Sequence, residues 1–93
     1  MPNVNAKSLI ARLKSLPSQT VLNETYIITP ENTTLHRLNE VGTFVWDNTD
    51  MPETVENLII KVCERFDVEP EDARKDVIEF IRIMHKKGLL SIS

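Results

Sequence analysis

Residues 34–46 place a strand-like pattern directly before a helix-like one, and this junction most constrains how the chain can fold. Over residues 34–38 the side chains alternate between two faces, with Leu35 and Arg37 on one face, as in a half-buried strand. Asn39 ends this pattern and is a good helix N-cap, because its side-chain oxygen can accept a first-turn N–H group. Apolar residues then recur at helical spacing. The sequence therefore predicts extended structure before the junction and helices after it.

Two segments upstream of the junction, 20–22 and 25–29, are rich in β-branched and aromatic residues. We interpret them as a hairpin with Asn23 and Glu24 between its strands. Residues 30–32 have the composition of a turn and lead into the strand described above. Three short strands then form an antiparallel meander. If their order in the sheet follows the chain, the last strand has a free edge of unpaired N–H and C=O groups.

Two further helices are predicted downstream of the junction. Thr54 is a good N-cap for a helix that ends near residue 66, and Pro70 suits the first turn of a helix that ends at Gly88. The residues on one flank of the apolar stripe of this third helix are Arg74, Ile78 and His85, with Arg82 further round. Strands followed by helices, without parallel β-α-β alternation, predict an α+β domain of winged-helix proportions.

The N-terminal segment allows two interpretations. Residues 6–16 place leucine and isoleucine at the spacing of a short amphipathic helix, with Pro17 after it. The alternation over residues 9–13 also fits a strand. An isolated helix of this length is marginal in water, so the segment must pack on its own core or on a second copy of the chain. We expect residues 1–17 to form an N-terminal extension and residues 18–93 to form the main domain.

The composition limits the classes of function. The chain has 93 residues, of which 41% are hydrophobic, enough for one modest core but not for a deep active site as well. A net charge of −3 with no basic run argues against binding to a nucleic-acid backbone. Cys63 is the single cysteine and His36 and His85 are the two histidines, so no disulfide, metal site or cofactor site is expected. No segment is apolar over the roughly 20 residues of a membrane span. We therefore expect a cytoplasmic protein that is not an enzyme.

Four motifs, taken together, resemble one protein family. They are LNEVGTFVW at 38–46, the helix cap TVE at 54–56, RFDVEPEDARKDVIEF at 65–80 and KKGLL at 86–90. In order and spacing this series resembles the PqqD-like family of leader-peptide recognition domains, which serve the biosynthesis of ribosomally made, post-translationally modified peptides. The likeness extends over residues 24–90, and the order of the motifs carries it, since none is specific alone.

The resemblance implies a winged-helix-like fold with a three-stranded antiparallel sheet followed by three helices. It also implies that the leader of a precursor peptide binds as an added strand on the third strand, against the third helix. The peptide-binding residues would then be Thr34, Leu35, His36, Arg37, Leu38, Arg74, Ile78, Ile81, Arg82 and His85. Of these, Arg37, Arg74 and Arg82 would suit acidic leader residues. The domain would be a non-catalytic chaperone that hands the peptide to a modifying enzyme, often a radical S-adenosylmethionine (SAM) protein.

Two other functions stay open at this point. A winged-helix fold is also compatible with a nucleic-acid-binding regulator, which needs a basic recognition face. A small structural subunit would instead form a homodimer in which the free strand edge is buried by its twin. We rank leader-peptide binding first, these two alternatives next and an enzyme last.

Overall fold

The computed structural model describes residues 4–13, 16–30 and 33–93. Within these ranges the strands are β1 (Leu9–Arg12), β2 (Ser18–Val21), β3 (Glu24–Thr29), β4 (Thr34–Leu38), β5 (Glu53–Thr54) and β6 (Leu90–Ile92). The helices are α1 (Glu40–Asp47), α2 (Val55–Phe66) and α3 (Pro70–Lys86). The predicted α+β class is confirmed. Among the described residues, no helix is both long and apolar enough to span a bilayer.

The strands β2, β3 and β4 form an antiparallel sheet in that order, which confirms the predicted meander. Its first turn consists of Leu22 and Asn23, whose φ angles are 51° and 64°. Positive φ at two successive residues is typical of a type I′ hairpin turn, which matches the twist of the flanking strands. The turn lies one residue earlier than the sequence suggested, because leucine is not a residue that marks such a turn.

A second antiparallel sheet has the order β5, β1, β6. Of the two interpretations of the N-terminal segment, the helix over residues 6–16 is wrong and the strand is confirmed, because Leu9–Arg12 form β1; positions 14–15 lie outside the described residues. Ile10 pairs with Glu53 on one side and with Ile92 on the other. This central position provides strand partners on both sides and buries the Ile10 side chain completely. Tertiary pairing therefore overrides a weak helical pattern here.

Both helix starts that the sequence marked with a polar cap are confirmed. Asn39 Oδ1 accepts the Gly42 N–H at 2.8 Å, and Thr54 Oγ1 accepts the Asn57 N–H at 3.2 Å. Each cap satisfies an N–H group that the helix itself leaves unpaired. The side chains of Asn39 and Thr54 therefore fix where α1 and α2 begin, and Asn39 fixes the end of β4 as well.

One hydrophobic core joins the helices to both sheets. Its largest fully buried side chains include Trp46, Ile10, Ile27, Leu58, Ile81 and Leu89. Trp46 is buried in this core, and the guanidinium carbon of Arg12 lies 5.4 Å from the centre of its ring. Because β3, β4 and α3 all contribute to this core, the edge strand and the third helix are held in a fixed relationship.

Candidate functional site

Among the strands that the structure describes, only β3 pairs with β4, so the outer side of β4 is the free edge of the first sheet. Ile28 in β3 donates its N–H to the carbonyl oxygen of Pro17, which directly precedes β2, at 3.0 Å. The N–H and C=O groups of Ile28 therefore point towards β2. Main-chain groups alternate in direction along a strand, so the N–H and C=O groups of Ile27 point towards β4. Its partner there is His36. By the same alternation, the N–H and C=O groups of Leu35 and Arg37 point away from β3. These two residues thus offer two N–H and two C=O groups to an additional strand.

The helix α3 lies beside the C-terminal end of β4. Gly42, in the first turn of α1, is so close to α3 that a Cβ at this position would lie 2.8 Å from Phe80 Cε1. The same Cβ would lie 3.3 Å from Leu38 Cβ. The end of β4, the start of α1 and the middle of α3 therefore meet at Gly42.

A cleft of about 350 Å³ opens at this meeting point. Its lining residues are Asn39, Val41, Gly42, Asp76, Glu79, Phe80 and Ile83. We call this cleft, together with the adjoining edge of β4, the β4–α3 groove. Ile83 is 44% exposed although its side chain is large and apolar, and it shares the cleft with Val41 and Phe80. Apolar side chains grouped in an open cleft mark a surface that another molecule can cover.

The two ends of the groove differ in charge. Asp76 and Glu79 line the cleft, and neither carboxylate forms an ion pair with another described residue. At the other end, Lys87 lies close enough to His36 to affect its titration. Burial, and secondarily the charge of Lys87, lower the pKa of His36, whose Nε2 lies 2.8 Å from Thr29 Oγ1. One end of the groove is therefore acidic, and the other end carries the ammonium group of Lys87 near the His36 imidazole.

The structure turns the predicted flank of α3 away from β4. Successive residues of a helix are about 100° apart, so Ile78 and Phe80 lie about 160° apart around the axis. Because Phe80 faces Gly42 and β4, Ile78 faces the other way. Arg74, Ile78 and Arg82 instead line a neighbouring open cavity of about 520 Å³, which adjoins the cleft at Glu79 and Ile83. The periodicity of the sequence defined the apolar stripe of α3, but it did not decide which flank of that stripe faces the sheet.

Three other predicted site residues also lie away from the surface of the cleft. Ile81 is fully buried in the core, so it offers no surface to a peptide. His85 is half-buried in the last turn of α3 and does not line the cleft. Arg37 belongs to β4, but its side chain lies on the outer face of the sheet, where it forms an ion pair with Glu24. Of the predicted residues, the structure brings together those of β4 alone as one continuous edge.

A comparison with protein families covers β4, α1 and α3, the elements that form the groove. A family model described as "Coenzyme PQQ synthesis protein D (PqqD)" matches residues 24–90, which include the first two helices, most of the first sheet and all of α3. The chain belongs to the PqqD family. This confirms the resemblance that the four sequence motifs suggested.

Two solved structures share the fold of this PqqD family member. The structure of TbiB1 in complex with the TbiA(beta) leader peptide has a TM-score of 0.78 and 20% identity, and the match covers 87% of this chain and 94% of that one. The solution NMR structure of the PqqD truncation of Methylobacterium extorquens PqqCD has a TM-score of 0.78 and 14% identity, covering 96% and 95%. It is described as a functional, stand-alone recognition element for ribosomally synthesised and post-translationally modified peptides. A search of the curated proteins found no match.

The groove residues of α3 are not those that the sequence suggested. Neither Phe80 nor Ile83 was among the predicted peptide-binding residues. A signal for Ile83 was present, because it widens the apolar stripe of α3 on one flank as Ile78 does on the other. The second signal was Gly42 in the first turn of α1, since a glycine in a helix often marks close approach of another element. In this PqqD family member the approaching side chain is Phe80.

Proposed function

We propose that this PqqD family member binds the leader segment of a ribosomally made precursor peptide and presents the peptide to a modifying enzyme. The leader would lie in the β4–α3 groove as an added strand. One observation carries the proposal: the β4 edge, with the outward main-chain groups of Leu35 and Arg37, leads at its C-terminal end to a cleft with exposed apolar side chains. Such an edge supplies hydrogen bonds to an extended peptide, and the cleft supplies a site for its side chains.

An added strand would place alternate side chains on the two faces of the sheet. The side chains on the inner face would enter the cleft, towards Val41, Phe80 and Ile83. Those on the outer face would lie beside Leu35, which is 61% exposed, and beside Arg37. Main-chain hydrogen bonds provide affinity that depends little on sequence, whereas the cleft selects among side chains. The groove can therefore both hold a leader and distinguish it from other peptides.

The two solved structures support this proposal. TbiB1 was solved with a leader peptide bound, and the PqqD truncation is described as a recognition element that functions by itself. We propose that the present domain likewise acts by binding alone and that the chemistry belongs to a separate modifying enzyme. A radical SAM protein is the enzyme class that the PqqD-like resemblance suggests, and the cytoplasm, where ribosomes make such precursors, is the proposed compartment.

Amide hydrogen exchange measured by NMR tests strand addition directly, with synthetic leader peptides chosen from short reading frames next to the gene as the probes. The Leu35 and Arg37 amides should exchange rapidly in the free protein and at least tenfold more slowly with the peptide bound. The amides of His36 and Leu38 face β3, so they should exchange slowly in both states and serve as internal controls. Protection confined to other elements, with Leu35 and Arg37 unchanged, would contradict the proposal.

NMR also tests the two alternative functions, a homodimeric structural subunit and a nucleic-acid-binding protein. Slow exchange at Leu35 and Arg37 before any peptide is added, lost on dilution, would indicate a homodimer formed through β4. Chemical-shift changes produced by duplex DNA and removed by added salt would indicate a nucleic-acid-binding protein instead.

A proline substitution at the edge of β4 separates the contributions of main-chain and side-chain groups to peptide affinity. Leu35→Pro removes an N–H that faces solvent, so the β3–β4 ladder should persist, as prolines in natural sheets occur on such edges. Peptide affinity should fall at least tenfold, because one hydrogen bond to the added strand is lost and the ring obstructs its approach. Leu35→Ala is the matched control, and it should reduce affinity by less than about threefold. Equal losses in the two variants would show that the side chain, and not the edge, carries the binding.

A further inference from the structure

The charge of the β4–α3 groove changes sign along its length. Asp76 and Glu79 line the cleft next to the C-terminal end of β4, whereas Lys87 lies near His36 in the middle of that strand. The helix α3 therefore runs antiparallel to β4, from the acidic end of the groove to the basic end. A strand added to β4 would pass both ends in a fixed order.

The spacing of the groups on α3 matches that of an extended peptide. Glu79, Ile83 and Lys87 are four residues apart, which is about 6 Å along the helix axis at about 1.5 Å per residue. Side chains on one face of a strand are two residues apart, which is about 6.8 Å at about 3.4 Å per residue. Three successive inward-facing side chains of a peptide can therefore lie opposite Glu79, Ile83 and Lys87 in turn.

We infer, on the basis of the proposed function, that the groove selects leaders with a basic, an apolar and an acidic residue at alternate positions, in that order from the N-terminus. The basic residue lies beside Asp76 and Glu79, the apolar residue contacts Phe80 and Ile83, and the acidic residue lies beside Lys87. The direction follows from antiparallel pairing with β4, which is more stable per residue than parallel pairing. The N-terminal side of the peptide then lies at the C-terminal end of β4.

This charge order differs from the acidic leader that the sequence suggested. That expectation relied on three arginines, of which Arg37 is paired with Glu24 on the outer face of the sheet. Arg74 and Arg82 line the neighbouring cavity, beyond Glu79 and Ile83, and neither arginine lines the cleft itself. The carboxylates in the cleft have no ion pair with another described residue, so a basic side chain of the peptide would gain a partner without displacing one.

A yeast-displayed library of nine-residue peptides provides the test. Outward-facing positions are threonine, and the three central inward-facing positions vary among lysine, glutamate, leucine and glutamine. Sorting against the fluorescently labelled full chain should enrich Lys-Thr-Leu-Thr-Glu over Glu-Thr-Leu-Thr-Lys about fivefold to tenfold, because exposed ion pairs are individually weak. The two sequences share composition and net charge, so the comparison isolates charge order. The preference should shrink towards equality in about 1 M salt, where the screening length is about 3 Å.

A charge-exchanged protein serves as the matched control. The triple variant Asp76→Lys, Glu79→Lys, Lys87→Glu changes only exposed side chains, so thermal unfolding should show that it is folded. Its preference between the two peptides should invert. Equal enrichment of both peptides by the wild-type chain would overturn the charge order and leave strand addition intact. Enrichment of no peptide, together with unprotected Leu35 and Arg37 amides when the precursor is added, would overturn the proposed function itself.

Discussion

Phe80 fills the space beside Gly42, where a Cβ would come within 2.8 Å of its ring. The contact joins the first turn of α1 to the middle of α3, next to the end of β4. It also sets the wall of the cleft, because both residues line it. A glycine at position 42 is therefore required by packing, and its φ is not of the kind that needs glycine.

Gly42→Ala should lower the free energy of unfolding by about 1–3 kcal/mol, the usual cost of excess volume in a packed region. Alanine itself favours a helix over glycine by about 1 kcal/mol, so a net loss would demonstrate the steric conflict. Urea denaturation measures the change. In a Phe80→Leu background the same substitution should cost less, since the obstructing ring edge is gone. Equal costs in both backgrounds would show that Phe80 does not limit the space at Gly42.

Ile83→Asp and Ile78→Asp should have opposite consequences. Ile83 is 44% exposed in the groove, so a charge there should reduce peptide affinity at least tenfold and change stability by less than about 1 kcal/mol. Ile78 is half-buried against the core on the other flank, so a carboxylate there should cost about 2 kcal/mol or more. Titration calorimetry and denaturant unfolding together separate the two effects. A binding loss for Ile78→Asp at unchanged stability would place the peptide on the flank that the sequence suggested.

His36 should make stability depend on pH in the mildly acidic range. Its pKa in the folded chain is lowered from the ordinary value of 6.5, by burial first and by Lys87 second. The unfolded chain therefore binds the proton more readily, and stability falls as the pH drops from about 6.5 towards the folded pKa, below which this contribution is constant. His36→Gln should flatten that part of the profile, as measured by urea unfolding at a series of pH values.

Lys87→Gln offers a control for the cause of this shift. Removing the ammonium should raise the pKa of His36 part of the way towards its ordinary value, because burial remains. NMR titration of the His36 ring protons measures the change. An unaltered pKa would show that Lys87 is too far from the imidazole to define the basic end of the groove.

The features that the sequence predicted well are those fixed by neighbouring residues. Asn39 and Thr54 cap helices through hydrogen bonds to residues three positions ahead, so their role is visible in the local sequence. The strand at 34–38 likewise follows from its own alternation. Strand β1 was ambiguous, because its alternation competes with a helical pattern and the partners that decide between them, Glu53 and Ile92, lie far along the chain.

For a related reason, the sequence did not show which flank of α3 faces β4. Its apolar stripe is extended on both sides, by Ile78 on one flank and Ile83 on the other, so periodicity alone gives two equivalent choices. The choice is made by Gly42, which admits the Phe80 ring and thereby turns the Ile83 flank towards β4. The edge of the candidate site was therefore predictable from local pattern, whereas its helical wall depended on a packing contact between distant segments.

Substitution of Ile10 tests whether the N-terminal strand is part of the domain. The alternative is that residues 1–17 form a separable extension, as the sequence suggested. Its side chain is fully buried in the same core as the helices, so Ile10→Ala should lower the free energy of unfolding by about 2–5 kcal/mol. The adjacent Leu9 is 41% exposed in the same strand, and Leu9→Ala should cost less than about 1 kcal/mol. The two substitutions remove similar side chains from neighbouring positions of β1. The difference between their effects on the free energy of unfolding therefore reflects burial and not strand propensity. A cost below about 1 kcal/mol at both positions would show that the chain folds without β1 and that residues 1–17 are dispensable for stability.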